Sequence, residues 1–410
     1  MTSNNSPTHT SAEKTASSPD AQAPLDANQK RVLALAFGAT FSVVLGVSSI
    51  MPAIPHMAEE FGIPHTEASL LITVFTLPGI VLAPIVGIWS DRFGRKPILM
   101  LSFLFFALAG TACAFAPSFS VLLFLRFIQG LGAIGLGVLY TTVIGDSFTG
   151  QARAKYIGYN AALLSVGTGL YPVIGGVLAE FSWQAPFALP LLSLAFCIVG
   201  IKTHLPYHGS GQNLSDYCRD ALRMMRKKNI ASLLAVAFFT FVMLYGPIIT
   251  AFPLLGHDMF SATPSEIGLL MFFSSSGTAL VALTSGKLAT RLTYTTQLFI
   301  GQGLFMLSLG LIVITPNFWL LTIPIFLYGL GQGFTVPTIQ YRLLGSVGPE
   351  QRGALMAANG TLLRVGQTIA PFLFSLLAQW QGNMVPFWAG VGIAFGTSLI
   401  IFFCLAITKE

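Results

Sequence analysis

Charge is what this 410-residue sequence has little of: Asp, Glu, Lys and Arg make up 9% of it, against roughly 25% in an ordinary soluble chain. Apolar residues fill 54%, Phe alone contributes 34 positions, and the mean hydropathy is +0.74. A soluble fold of this length has no interior able to hide so much apolar surface. The two or three soluble domains that the length would suggest are therefore excluded. Cysteine is also scarce, and Cys113, Cys197, Cys218 and Cys404 lie too far apart for a metal or redox spacing. The six histidines (His9, His56, His65, His204, His208 and His257) fall in the tail, in loops or at span ends. With no HExxH pair and no base within the apolar runs, the chain is not expected to be an enzyme or to bind a metal. A net charge of +6 would hint at nucleic acid in a soluble protein. In a membrane chain the same cations are topology signals, so lipid and a small molecule are the expected partners and nucleic acid is not.

What is present is a series of long apolar runs. A bilayer-spanning helix takes about 20 mainly apolar residues. The runs suggest twelve spans, near 32–55, 66–89, 97–116, 119–144, 153–179, 184–203, 230–254, 265–287, 297–315, 318–343, 353–378 and 385–407. They are continuously apolar rather than alternating, which favours helices over a barrel. The expected fold is thus an all-α polytopic membrane protein with two pseudo-symmetric six-helix bundles, at residues 30–203 and 230–410. Residues 1–29 are rich in Ser, Thr, Asn, Ala and Pro and lack aromatics. They read as a disordered cytoplasmic tail without a secretory signal. The polar stretch 204–229, with Arg219, Arg223, Arg226, Lys227 and Lys228, reads as a cytoplasmic linker.

On these spans the basic residues cluster in the tail and in alternate loops, whereas the other loops carry Glu59, Glu60, Glu67, Glu180, Asp258 and Glu266. The positive-inside rule then puts both termini in the cytoplasm of a multi-pass plasma-membrane protein, with the bacterial inner membrane as the expected site. The halves also repeat. A shift of 199 residues without gaps lays Phe61 on Phe260, Glu67 on Glu266, Gly87 on Gly286 and Arg92 on Arg291. It also pairs Gly130 with Gly329, Gly132 with Gly331, Arg153 with Arg352, Asn160 with Asn359, Gly167 with Gly366 and Pro172 with Pro371. Parallel repeats of six helices are the layout of a rocker-type transporter.

Three motifs carry a resemblance. After the second span the chain reads GIWSDRFGRK, with Gly87, Asp91, Arg92, Gly94, Arg95 and Lys96. Gly94 permits a tight turn, Asp91 could cap a helix N-terminus, and the cations hold the loop at the membrane surface. The segment resembles the G-x-x-x-D-R-x-G-R-[RK] signature of the major facilitator superfamily. Arg126, Gln129, Gly130, Gly132 and Ala133 in the fourth span resemble its R-x-x-Q-G-x-G-[AS] signature. Gly167, Pro172, Gly175 and Gly176 in the fifth resemble the antiporter signature G-x-x-x-G-P-x-x-G-G, with Tyr171 where that signature has glycine. The resemblance, to the twelve-helix drug/proton antiporter branch, covers roughly residues 30–407. It implies a conformational gate at the first motif, with the aspartate latching the halves, and helix packing at the third. Tyr171 is expected to add bulk to the seam between halves. In the second copy of the gate, Thr290 replaces the acid and Thr293 the second glycine, so the latch is one-sided.

Only two basic residues fall well inside the spans, Arg126 and Arg364, and no carboxylate does. A charge at mid-bilayer costs at least about 2.5–3.5 kcal/mol, so it has either structural partners or a task. Both are candidate substrate contacts, Arg364 the sharper because it belongs to no signature; for Arg126 donation to neighbouring carbonyls is the alternative. Gln332, Tyr245, Gln340 and Asn359 are further polar candidates. A cavity of positive sign suits an anion or a zwitterion. The expected function is secondary active export of a drug-like or amphiphilic, anionic metabolite by a monomer, with no cofactor and, by resemblance, proton antiport. A uniporter or anion exchanger, which needs no internal acid, and a transporter-like receptor are the alternatives.

Overall fold

The computed structural model describes residues 25–205, 219, 222–348 and 351–406; the expected tail and most of the linker fall outside the described residues. The chain is helical throughout this range. Among the described residues, eleven helices are long and apolar enough to cross a membrane. In the first half these are α1 (Ala27–Phe61), α2 (His65–Phe93), α3 (Arg95–Phe115), α4 (Phe119–Ser147) and α5 (Gly150–Phe181). The sixth expected span, α6 (Ala185–Ile201), is a shorter apolar helix. Its prolines Pro186 and Pro190 remove amide donors, so its first eight residues wind as a tight 3₁₀ helix before an α-helix takes over at Ser193. The second half holds α7 (Lys228–Phe260), α8 (Pro264–Arg291), α9 (Tyr294–Ile314), α10 (Trp319–Gly345), α11 (Arg352–Gln381) and α12 (Val385–Leu405). Twelve helices in two six-helix bundles are the architecture expected from the sequence.

The expected boundaries move at several points. Helix α1 starts at Ala27, not after residue 29, because Asp26 and Gln29 form a capping box: Gln29 N–H donates to Asp26 Oδ1 at 2.6 Å and Asp26 N–H to Gln29 Oε1 at 3.1 Å. Around Pro247 the chain has no amide to donate, and α7 widens into a π-helical stretch over Leu244–Ala251.

The 199-residue repeat is geometric as well as textual. A Cβ on Gly130 in α4 would stand 2.2 Å from the carbonyl oxygen of Phe75 in α2. A Cβ on Gly329 in α10 would stand 1.8 Å from the carbonyl of Ser274 in α8, the residue 199 places beyond Phe75. Gly132 packs on Ser102 O and Phe106 of α3, and Gly331 on the repeat equivalents Gly301 O and Phe305 of α9. Arg153 donates from Nη2 to Gly145 O at 2.5 Å, and Arg352 from Nε to its equivalent Leu344 O at 3.0 Å. In lipid no hydrophobic force pulls helices together, so the absence of side chains at these crossings lets backbones approach and supplies the packing.

The halves meet where α5 packs on α8 and α2 on α11. Gly176 of α5 lies against Pro264 O, and Gly268 of α8 against Pro172 O, a reciprocal contact of small residues on backbone. Gly175 faces the other way, onto Ser49 O of α1. Tyr171 also turns inward, its ring edge-on to Phe41 of α1 at 5.3 Å between centroids. This corrects the expectation that its bulk enters the seam: the ring fills the first bundle and leaves the α5–α8 contact to glycine.

Gly130→Ala and Gly329→Ala should each lower stability by about 1–3 kcal/mol, because a methyl group would be forced onto a backbone carbonyl that cannot rotate away. Gly310→Ala, in α9 with nothing within 4 Å of its would-be Cβ, should be neutral or stabilising. Thermal unfolding of the three variants in detergent checks this; equal melting temperatures would contradict the packing account.

Candidate functional site at the seam between the halves

Arg364 lies twelve residues into α11, about 18 Å along a helix of 30 residues. That depth is near mid-membrane. Its guanidinium leaves its own half and rests on two glycines of the other. Nη1 is 2.6 Å from the position a Gly79 Cβ would take on α2, and Nη2 is 3.0 Å from that of Gly137 on α4. Neither position has room for a larger residue while the guanidinium stays where it is. At its backbone, the Arg364 carbonyl accepts a hydrogen bond from Thr368 Oγ1 at 2.8 Å. The guanidinium makes no hydrogen bond or ion pair with a described residue. Its electrostatic neighbours are the phenols of Tyr245, in the π-helical stretch of α7, and Tyr140 of α4. One turn beyond, Thr368 ties the seam: Thr73 Oγ1 donates to Thr368 O at 2.9 Å, and the hydroxyls of Thr368 and Thr76 lie 2.9 Å apart, within hydrogen-bond reach.

Arg126, the other interior cation, has a different setting. It is fully buried. Nη1 donates to Gly46 O at 2.9 Å and to Gln129 Oε1 at 2.7 Å, Nε donates to Leu71 O at 3.2 Å, and the guanidinium lies 4.3 Å from the centre of the Phe75 ring. It joins α1, α2 and α4 within one bundle and does not reach the seam. The stripe Arg126, Gly130, Ala133 and Gly137 thus divides: the first three residues pack the bundle, and only Gly137 touches Arg364.

The other candidates do not converge on Arg364 except Tyr245. Gln332 Oε1 accepts from Thr278 Oγ1 at 3.3 Å, a brace between α10 and α8. Asn359 is buried with its Oδ1 unpartnered, and with the exposed Gln340 it lines a small pocket shared with Thr240 and Phe241. Its repeat mate Asn160 accepts from Thr40 Oγ1 at 2.7 Å. Gly79, Tyr140 and Thr368 were not legible as site residues. A glycine or a tyrosine in an apolar run carries no mark until another helix is laid against it.

The gate motif forms a polar knot at the basic ends of α2, α3 and α4. Gly94 adopts φ +95°, a conformation suited to glycine, and turns the chain into α3. Gly94, the N-cap of α3, makes no side-chain cap bond, and Asp91 pairs with Arg95 in the first turn of that helix. Arg95 pairs with Asp91 one turn back, bonds Asp146 Oδ2 through Nε at 3.0 Å, and bonds Ser90 Oγ through Nη1 at 2.6 Å. Lys96 Nζ donates to Ile201 O at 2.9 Å, and Arg92 stacks near Phe93. All these partners belong to the first half.

At the opposite, acidic face the halves are tied directly. His257 Nε2 of α7 is 3.4 Å from Glu59 Oε1 of α1, and His65 Nε2 of α2 is 3.3 Å from Asp258 Oδ2. Ser265 of α8 donates to the carboxylate of Glu180 in α5. Asn383 Nδ2 also donates to Asp258 Oδ2, at 3.2 Å.

The sequence is similar to three resistance proteins. It is 28% identical to the class G tetracycline resistance protein of Vibrio anguillarum over 355 residues, 82% of this chain and 89% of that one. It is 25% identical to multidrug resistance protein 2 of Bacillus subtilis (90% and 94% covered) and 24% identical to the quinolone resistance protein NorA of Staphylococcus aureus (91% and 96%). In fold it resembles a bacterial homologue of the human lysosomal transporter Spinster in an inward-facing, occupied conformation (TM-score 0.77, 16% identity, 94% and 98% covered). It also resembles the human organic anion transporter MFSD10 (TM-score 0.65, 19% identity, 91% and 99% covered). The sequence profile of the Major Facilitator Superfamily matches residues 36–261 and 234–410. This chain, with its paired six-helix bundles, belongs to that superfamily of membrane transporters.

Proposed function

We propose that the protein is a secondary active exporter that binds an anionic or amphiphilic small molecule at the seam and carries it by alternating access. The observation that carries this reading is Arg364. A guanidinium near mid-membrane, cradled by Gly79 and Gly137 of the opposite half and given no carboxylate, is a costly feature without a task. A carboxylate or phosphate of a substrate supplies its counter-charge, and the phenols of Tyr140 and Tyr245 flank it there. Because the cradle belongs to one half and the cation to the other, rocking the halves makes and breaks the site. A ligand that prefers one arrangement shifts the equilibrium by that preference alone.

The basic face is assigned to the cytoplasm, so that both termini lie inside. The cross-half bonds of Thr73, Thr76, Glu59, His65 and Glu180 lie from mid-membrane toward the acidic face, which supports reading this state as closed outside and open inside. The Arg95–Asp91–Asp146 knot is then the gate motif at rest within its own half. Likeness to tetracycline, multidrug and quinolone resistance proteins supports efflux of drug-like molecules. Proton antiport is proposed on the resemblance alone. The absence of a mid-span Asp or Glu favours, as a second reading, a uniporter or an anion exchanger that needs no internal acid.

Arg364→Gln should weaken binding of an anionic substrate by about 10- to 100-fold, the loss expected for one charge-assisted hydrogen bond, while yield and melting temperature stay near wild type. Arg364→Lys should recover part of that loss, less if the guanidinium binds in bidentate fashion. Equilibrium binding to purified protein measures both, and unchanged affinity in the two variants would remove Arg364 from the site. In proteoliposomes an imposed pH gradient should drive flux of a transported drug or metabolite. Flux indifferent to the gradient would sink proton coupling and leave the exchanger, and tight binding without any flux would leave a receptor.

A further inference from the structure

The acidic face holds a cluster that the seam chemistry does not use. His56 and Glu59 stand three residues apart near the end of α1, so they project from the same side of the helix. His257, from the end of α7 in the other half, lies against both. Its Nε2 is 3.4 Å from Glu59 Oε1, and its ring is edge-on to that of His56 with centroids 5.7 Å apart. One ligating atom from each of the three residues falls within 4.8 Å of the other two. Zinc bonds of about 2.0–2.2 Å to nitrogen and oxygen place neighbouring tetrahedral ligand atoms about 3.3–3.5 Å apart. The His257–Glu59 pair already has that separation, and small side-chain rotations bring in His56.

The outer partners suit a metal ligand. Nδ1 of His257 faces Asp258 Oδ1 at 3.3 Å. A carboxylate there fixes the tautomer that leaves Nε2 as a lone-pair donor directed at Glu59. Asp258 is itself held by His65 and Asn383, at 3.3 and 3.2 Å. A His257–Glu59 ion pair alone explains one contact. It leaves His56 stacked on His257, where two imidazolium ions would repel, whereas a metal between two neutral imidazoles turns the same juxtaposition into attraction.

We propose that His56, Glu59 and His257 form a site for a divalent transition metal of the zinc type, with water as fourth ligand, and that the bound metal holds the acidic face closed. Two imidazoles and one carboxylate suit zinc, whereas magnesium and calcium require oxygen ligands. The ligands come from α1 and α7, one in each half, so opening this face pulls them apart. Metal therefore binds the closed arrangement better and by linkage favours opening at the basic face. That consequence rests on the alternating-access reading; the metal site itself does not.

The test uses the full-length, tag-free protein in lipid nanodiscs, titrated with zinc chloride by calorimetry and with cobalt chloride by visible absorption. Expected are saturable binding of one zinc per chain, a tetrahedral cobalt spectrum, and no competition from magnesium. His56→Ala, His257→Ala and Glu59→Gln should each weaken binding by about tenfold or more, and Asp258→Asn by about 10- to 100-fold. Spin labels on cysteines introduced at Gln151 and Ser346, in a background without the native cysteines, report the separation of the halves at the basic face, and zinc should shift them toward the longer distance. Absence of saturable binding, or binding unchanged in His56→Ala and His257→Ala, would overturn the site. Binding that depends on these residues but leaves the label distance unmoved would overturn the closing role, and it would count against alternating access rather than against the metal.

Discussion

The organising constraint is the cost of leaving a polar group unpaired in a medium that cannot solvate it. The two interior arginines show the two ways of meeting it. Arg126 is bound into its bundle through Nε and Nη1, which meet carbonyls of α1 and α2 and the amide oxygen of Gln129, with the face of Phe75 alongside and Nη2 left without a hydrogen-bond partner among the described residues. Arg364 rests its guanidinium on Gly79 and Gly137 of the other half, near the phenols of Tyr140 and Tyr245, and has no hydrogen bond or ion pair with a described residue. The same cation is a rivet in one place and, on the proposed reading, a substrate contact in the other. The difference lies in whether carbonyl oxygens or bare glycines come within reach.

The same constraint explains how the bundles hold together. Apolar side chains gain nothing by leaving lipid for one another, so contact depends on backbones coming close. Gly130 and Gly329 sit on carbonyls of the preceding repeat-equivalent helices, Phe75 O and Ser274 O, and Gly132 and Gly331 repeat the pattern one helix further on. Within a half these contacts are tight and lie against backbone. Across the seam the same kind of contact recurs at Gly176 and Gly268, each against a backbone carbonyl of the other half, beside a threonine ladder.

Polar chemistry is therefore pushed to the two faces, and they differ in kind. The basic face closes a network inside the first half around Arg95. The acidic face joins the halves through histidine and carboxylate, in the pairs His257–Glu59 and His65–Asp258. Histidines that looked unremarkable as loop residues of an apolar chain take on this character because α1 and α7 end side by side.

Hydropathy, the placement of lysine and arginine and the constant offset of 199 residues were enough to determine twelve helices, their division into two repeats and the family signatures. Each of these is written in residue type along one helix or one loop, where the cost of a charge in lipid acts directly. Boundaries shifted at the ends of many helices, as in α7, which runs Lys228–Phe260 rather than 230–254, and at α1, where the Asp26–Gln29 cap sets the start. Which arginine is structural, which way Tyr171 points and that His56 meets His257 were decided by tertiary structure alone. Those outcomes depend on what a neighbouring helix presents at the crossing, and a linear sequence does not say which carbonyl, ring or glycine will stand opposite a given side chain.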